Sequence, residues 1–553
     1  MKYLLVISGL FFFLSSLIQA ETLSQGAAEA QLTKDLHLHT AELASDAYEG
    51  REPGTAGEQK TVSYLAKEFE KLGLAPGNSG SWYQQVPITA VTSNPDVIMK
   101  MRGTGVSLDL AYSLDMMAAT QRQVKSVGLK NSQLVFAGYG IVAPERNWND
   151  YAEIDVSGKT VVVLINDPGF ATQNPKLFNG NAMTYYGRWD YKYAEAARQG
   201  ASGVIIVHET APASYPWEVV ANSWSGANIG LTADNRNVDK LQVEAWITFE
   251  QAEKLFASVG MDYAESKNAA AIAGFRASDM GDIKVSVSLT NTISTAKSRN
   301  VLAAIPGSKY PEEAIVYSAH WDHLGIRPGV EGDNIYNGAA DNASGVAALL
   351  GLARLFSEQS VAPQRTVLFL AVTAEESGLL GSKWYSENPV FPIAKTVANL
   401  NMDNLAKGAI GKTHDVAVVG FGNSELENYL GEAAKIQGRE VVQEPAPEKG
   451  LYYRSDHFSF ARVGIPALYL TTATDSIEHG KAWGDQRLVD YYANDYHKPS
   501  DEYLKSWDLS GASQDVMLLY TIGAKLSSSR DFPNWNTGNE FKATRDASMA
   551  VSH

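Results

Sequence analysis

The stretch Arg365 to Ala374, RTVLFLAVTA, followed at once by Glu375, Glu376, Ser377 and Gly378, decides the fold. An apolar run of this length, rich in Val and Leu, predicts a strand buried on both faces of an α/β sheet, since it leaves no polar face for solvent. Ligands of such sheets bind at the carboxyl ends of the strands, where this glutamate pair stands. Taken alone, the pair reads first as an acidic loop that caps the following helix.

The surrounding sequence repeats the arrangement. Ala314 to Ala319 (AIVYSA), a helix from Ser344 to Phe356, the strand ending at Ala374, a helix from Leu379 and the run Thr396 to Asn401 alternate strand with helix. This predicts an α/β fold with a mixed, mainly parallel sheet flanked by helices. Polar clusters recur where these runs end. SAHWDHLG supplies His320, Asp322 and His323; NGAADNASG supplies Asp341 and Asn342; ANLNMDNL supplies Asp403; NDYHKPSDEY supplies Tyr496, His497 and Asp501. Singly these are strand-end, helix-cap and turn residues. Together, two histidines and three carboxylates offer the nitrogen and oxygen ligands that two divalent zinc ions require, and the carboxylates would repel one another without cations between them.

Composition sets the outer limits. A chain of 553 residues exceeds one core, and 45% apolar, 20% charged and 10% aromatic residues are those of a globular protein. A net charge of −16 argues against nucleic acid and anionic membranes as partners. The absence of cysteine excludes disulfides, a Cys nucleophile and Cys-ligated metal. Residues 1–20, MKYLLVISGLFFFLSSLIQA, predict a signal peptide cleaved near Ala20, hence an exported protein, periplasmic or secreted; an uncleaved anchor is disfavoured by the short apolar run.

Near the amino end, Leu32, Leu36 and Leu43 recur at helical spacing. Thr55 and Glu58 form a capping box ahead of Val62, Leu65, Phe69 and Leu72 on one helical face. From about Asn131 short β-rich runs predict a small separate domain. Its loop aromatics, Trp148, Tyr185, Tyr186, Trp189, Tyr215 and Trp217, either line a substrate mouth or pack their own domain. Residues 531–553 are expected to be a flexible, frayed tail.

The motifs EGREPGTAGEQKT, HWDH, GAADNASG, TAEESGLLGS, NMDNL and the YH of YHKPSDEY, in this order, resemble the M28 family of zinc peptidases, which includes bacterial aminopeptidases and glutamate carboxypeptidase-like enzymes. The stretch from Gly138 to Trp217 resembles the protease-associated domain inserted in many members. Between the signal peptide over 1–20 and the tail over 531–553, the resemblance implies a peptidase domain over 21–115 and 284–530 and an inserted domain over 116–283. It implies two zinc ions per chain: Asp341 bridging both, Glu376 and His497 completing one site, His320 and Asp403 the other. Glu375 would be general base on the zinc-bridging water, Asp322 would hold the His320 imidazole through its second ring nitrogen, and Tyr496 is either an oxyanion donor or a structural tyrosine. The sequence alone allows the two glutamates to exchange roles.

The activity implied is an exopeptidase acting at the amino end of peptides, with the aromatic loops of the inserted domain as one wall of the pocket. A carboxypeptidase or dipeptidase of the same fold is the alternative, set back because Arg188, Arg454 and Arg462 look scattered. A receptor-like binding protein is disfavoured by the complete ligand set, glutaminyl cyclisation by the insertion, and a serine hydrolase by the lack of a G-x-S-x-G elbow. Asp456 and His457 recur near the site in the family, and His457 is read as supporting or structural. His323, His414 and His479 have no assigned partner.

Overall fold

The computed structural model describes residues 26–550, so the signal-peptide expectation for 1–20 lies outside the described residues. A helix over 26–43 (α1) and α2 (Ala56–Lys71) precede the long strand β1 (Tyr83–Ser93). Thr55 caps α2 by accepting the Glu58 amide, and Val62, Leu65 and Phe69 are buried as their spacing predicts. Strands β2 (Ser126–Phe136), β3 (Thr160–Leu164), β4 (Gly203–Val207) and β5 (Val243–Ile247) then lie side by side in parallel, with α3 (Trp189–Arg198) between β3 and β4 in sequence.

The next strand, β6 (Ser278–Ile305), is 28 residues long. Its first half pairs antiparallel with β2, the middle with β1, and its last residues with the strand that begins at Arg365. One strand is therefore the spine of both sheets. Beyond it come β7 (Tyr310–His320), α4 (Ser344–Ser357), β8 (Arg365–Val372), α5 (Leu380–Glu387), β9 (Thr396–Asn401), β10 (Ala467–Thr471), α6 (Lys481–Asn494) and α7 (Ser510–Ser528). Their sheet runs β1–β6–β8–β7–β9–β10, with β7 parallel to both β8 and β9, and β9 parallel to β10. This is the mixed, mainly parallel sheet that the alternation predicts.

Every residue of β8 is buried. Val367, Phe369 and Ala371 face a core built with α4 and α7, while Leu368, Leu370 and Val372 face a second core with Tyr385 and Phe460. The period of two, with apolar groups at both phases, is why the stretch reads as continuous rather than alternating.

A second core begins ahead of the inserted domain's expected boundary at 116. Val97, Met99, Met101, Val106 and Leu110 pack into one core with Leu134, Val162, Ile205 and Val285, so this core begins by Val97. The expected end at 283 falls inside β6, which no domain edge interrupts. Most loop aromatics pack within this unit: Trp148 and Tyr186 against Phe178, Trp189 against Trp224, and Tyr215 and Trp217 against His208. Tyr185 differs, since its ring meets Tyr453, Phe458 and Phe541 of the other unit.

Over the described residues 531–550 the tail expectation is also corrected; 551–553 lie outside the described residues. Trp535 is buried, donates from Nε1 to the Gly464 carbonyl at 2.9 Å and packs on Phe541, and a helix α8 (Lys542–Ala550) follows. Widely spaced aromatics, without helical or strand period, fill an apolar surface that only the folded protein creates. Among the described residues no helix is long and apolar enough to cross a membrane. Trp535→Ala should cost about 3–5 kcal/mol, the usual figure for truncating a buried tryptophan, measured by denaturant unfolding; an unchanged midpoint would restore the frayed-tail reading.

Candidate functional site

The carboxyl ends of β7, β8 and β9 carry the site. Ala374, at φ 53°, turns the chain out of β8 in a left-handed conformation that costs a residue with a side chain roughly 1–2 kcal/mol, and Gly378, at φ 104°, completes the turn. Asp322, just past β7, offsets that cost: its carboxylate accepts the Glu375 amide at 3.1 Å and the Glu376 amide at 3.3 Å. This changes the expected role of Asp322. Its carboxylate lies 3.9 Å from His320 Nδ1, which donates instead to the Asp322 backbone carbonyl at 3.1 Å. The side chain is taken by the two glutamate amides, so the carbonyl holds the imidazole.

Asp341 sits in a loop whose amides are held from outside. Asp501 accepts from the Ala340 amide at 3.0 Å and the Asp341 amide at 3.1 Å. Asn342 accepts from the amides of Gly345 and Asn404 and donates to the Met402 carbonyl, fastening the Asp341 loop to the Asp403 loop. Beneath both lies Arg51, fully buried, which donates to the carbonyls of Leu43, Trp321, Asn337 and Gly338. Burial lowers the Arg51 guanidinium to about 10, against the opposing pull of Asp501, Asp322, Asp341 and Glu376.

These supports bring His320, Asp341, Glu376, Asp403 and His497 together. His320 Nε2 lies 3.3 Å from Asp341 Oδ1 and 3.4 Å from Asp403 Oδ1. His497 Nε2 lies 3.3 Å from Asp341 Oδ2 and 3.2 Å from Glu376 Oε2. Four ligands at about 2.0–2.1 Å around a tetrahedral zinc ion stand about 3.3–3.4 Å apart, so both donor groups have the spacing of metal ligands and Asp341 offers one oxygen to each. Glu375 stands with His320 and Asp403 at the first group. Tyr496 stacks on the His497 ring, centroids 3.9 Å apart, on the exposed side of the site.

Charge follows the same division. Burial alone would lower the His320 imidazole, yet Glu375, Asp341 and Asp403 raise it well above its ordinary value. His497 is likewise lifted to about 9, burial being outweighed by Asp341 and Glu376. Burial opposes ionisation of Asp341, but His320 and His497 hold it well below the carboxylate range. Burial pushes Glu375 well up, opposed by His320 and reinforced by Glu376, Asp403 and Asp456. The field that draws protons onto these imidazoles is the field that attracts a divalent cation.

Sequence reasoning missed His323. It is buried and its Nδ1 lies 2.6 Å from Glu376 Oε1. Although close enough to Asp341 and Glu376 to be grouped with them as a ligand, it is too near Glu376 to share a metal edge of about 3.3 Å, so the contact is a direct hydrogen bond. The spacing His-x-x-His at a strand end was the available signal. Arg51 had none, because it binds carbonyls. His457 packs between the rings of Tyr452 and Tyr469, and burial pushes it down to about 3, which makes it a neutral structural histidine. His479 stacks on Trp483.

Residues 300–521 match the model described as Peptidase family M28. Curated relatives include the probable leucine aminopeptidase 2 of Aspergillus oryzae, 25% identical over 313 residues that cover 55% of each chain. Another is the probable glutamate carboxypeptidase AMP1 of Arabidopsis thaliana, 25% identical over 384 residues, 64% of this chain and 49% of that one. The chain thus spans about half the length of these relatives. Among solved structures, an aminopeptidase from Aneurinibacillus sp. strain AM-1 aligns with a TM-score of 0.47 at 21% identity, over 91% of this chain and 97% of that one. The matched stretch, residues 300–521, carries every side chain of the site described above except the buried Arg51 support, and over that stretch the chain is similar to peptidase family M28.

Proposed function

We propose that the chain is a two-zinc exopeptidase that removes residues from the amino end of peptides. The observation that carries this reading is Asp341, with one oxygen 3.3 Å from His320 and the other 3.3 Å from His497. His320 and Asp403 would hold one ion, Glu376 and His497 the other, and Asp341 both. When bound, such a pair supplies Lewis-acid polarisation of a peptide carbonyl and acidification of water.

The chain's own groups do the rest. Glu375, pinned by its amide to Asp322 and beside His320 and Asp403, is assigned not as a ligand but as the base that accepts the proton of the attacking water and delivers it to the leaving amine. The carboxyl's raised pKa suits a group that must carry that proton between the two steps. Tyr496, on the open side against His497, donates its hydroxyl to the carbonyl oxygen as charge develops there. The unit whose core starts at Val97 is taken as the protease-associated domain, and Tyr185 fixes it against the loop bearing Asp456. Residues 1–20 support export to the periplasm or beyond.

One observation favours a second reading, a carboxypeptidase or dipeptidase. Arg454 is exposed and forms no ion pair among the described residues, and partial desolvation together with the nearby charge of Arg188 lowers its guanidinium. An unpaired arginine near a second one, Arg188, which itself pairs with Asp190 at 3.4 Å, suits a substrate carboxylate, and the name of the Arabidopsis relative points the same way. Hydrolysis of amino-acid arylamides compared with amino-terminally blocked peptides separates the readings: cleavage of arylamides alone is expected, and cleavage of only the blocked set transfers the function to the second reading.

Glu375→Gln should lower kcat by about 10²–10⁴-fold with zinc content unchanged by elemental analysis; loss of one metal would mean that the glutamates exchange roles. Asp322→Asn places an amide donor against a backbone amide. It should cost about 1–3 kcal/mol of stability and reduce kcat while both metals stay bound. Unchanged melting and turnover would show that the turn needs no such support.

A further inference from the structure

His323 is fixed more firmly than packing alone requires. Its ring lies over Gly338, where a side chain would come within 2.5 Å of ring carbons Cγ and Cδ2, and its amide donates to the Arg51 carbonyl at 3.4 Å. The His497 ring meets it edge-on, centroids 5.7 Å apart. Nδ1 is directed at Glu376 Oε1, 2.6 Å away, while Glu376 Oε2 faces His497 at 3.2 Å. A carboxylate accepts only, so the proton of this bond resides on Nδ1, and Nε2 is left buried with no hydrogen-bond partner.

We infer that His323 is a positioning residue that sets metal selectivity at the His497 side of the centre, by occupying one oxygen of Glu376 so that the carboxylate can offer a metal only the other. The inference rests on the two-metal reading above. A carboxylate restricted to one oxygen favours a four-coordinate ion such as zinc, whereas a carboxylate free to bind through both suits cations of higher coordination number, such as manganese. Hydrogen-bonding groups behind a ligand alter metal affinity by about 10–100-fold. The other donor group, His320 with Asp403, has no contact with His323 in the distances above and serves as an internal control.

The experiment is calorimetric titration of metal-free wild type, His323→Leu and His323→Asn, with Zn²⁺ and separately with Mn²⁺. The asparagine amide nitrogen takes the place of Nδ1 and keeps the donor. His323→Leu should weaken zinc at one of two sites by about 10–100-fold, leave the other site unchanged, and raise manganese affinity relative to zinc at the weakened site. His323→Asn should restore most of the loss. Zinc affinities in His323→Leu equal to wild type at both sites overturn the inference, as does a His323→Asn protein no better than His323→Leu, which would make the ring itself a ligand or mere packing. Equal weakening of both sites, which a general loss of fold would produce, also counts against it. Wild type that fails to bind two zinc ions defeats the two-metal reading first.

Discussion

The constraint on which the centre depends is the double approach to Asp341. A carboxylate facing an imidazole with each oxygen, and surrounded by Glu375, Glu376 and Asp403, is buried where repulsion between acids is screened least. Such an assembly is tolerable only if cations or protons fill the spaces between the oxygens. Much of the nearby chain serves to hold it: Asp501 grips the Asp341 loop by its amides, Asn342 ties that loop to the Met402 carbonyl and Asn404 amide, Asp322 grips the glutamate turn, and Arg51 gathers the carbonyls below. Each acid is spent on backbone in one place so that another is free to face the centre.

That division explains what could be read from the sequence. The strand Arg365 to Val372 announces itself because both its faces are apolar, and the polar clusters stand at strand ends because a parallel sheet exposes its active edge there. The grouping of two histidines and three carboxylates followed from residue types that have few other reasons to converge, while their division into two ligand sets is what the family resemblance implies. Roles within the set were less legible. Asp322 and Glu375 look like ligands by composition, and only the two amide contacts of Asp322 show that its carboxylate supports the turn rather than the imidazole.

Other features were illegible for definite physical reasons. Arg51 and Asp501 act on backbone groups, which every residue possesses, so no partner in the sequence betrays them. The extent of the second core was hard to read because Val97 to Leu110 have the same apolar texture as the strands on either side, and because β6 runs through 283 without a break. The carboxyl-terminal segment looked frayed since Trp535 and Phe541 are too far apart to give a period, yet both fill one apolar surface beside Tyr452 and Phe458. That surface also receives Tyr185, so Phe541 helps to hold the two cores together behind the loop bearing Asp456.

The most direct test is diffraction from crystals grown with zinc, recorded on either side of the zinc absorption edge. The account predicts two anomalous peaks flanking Asp341, one beside His320 and Asp403 and the other beside Glu376 and His497, with Glu375 bound to neither. A single peak, or peaks that leave Asp341 uncoordinated, would contradict it.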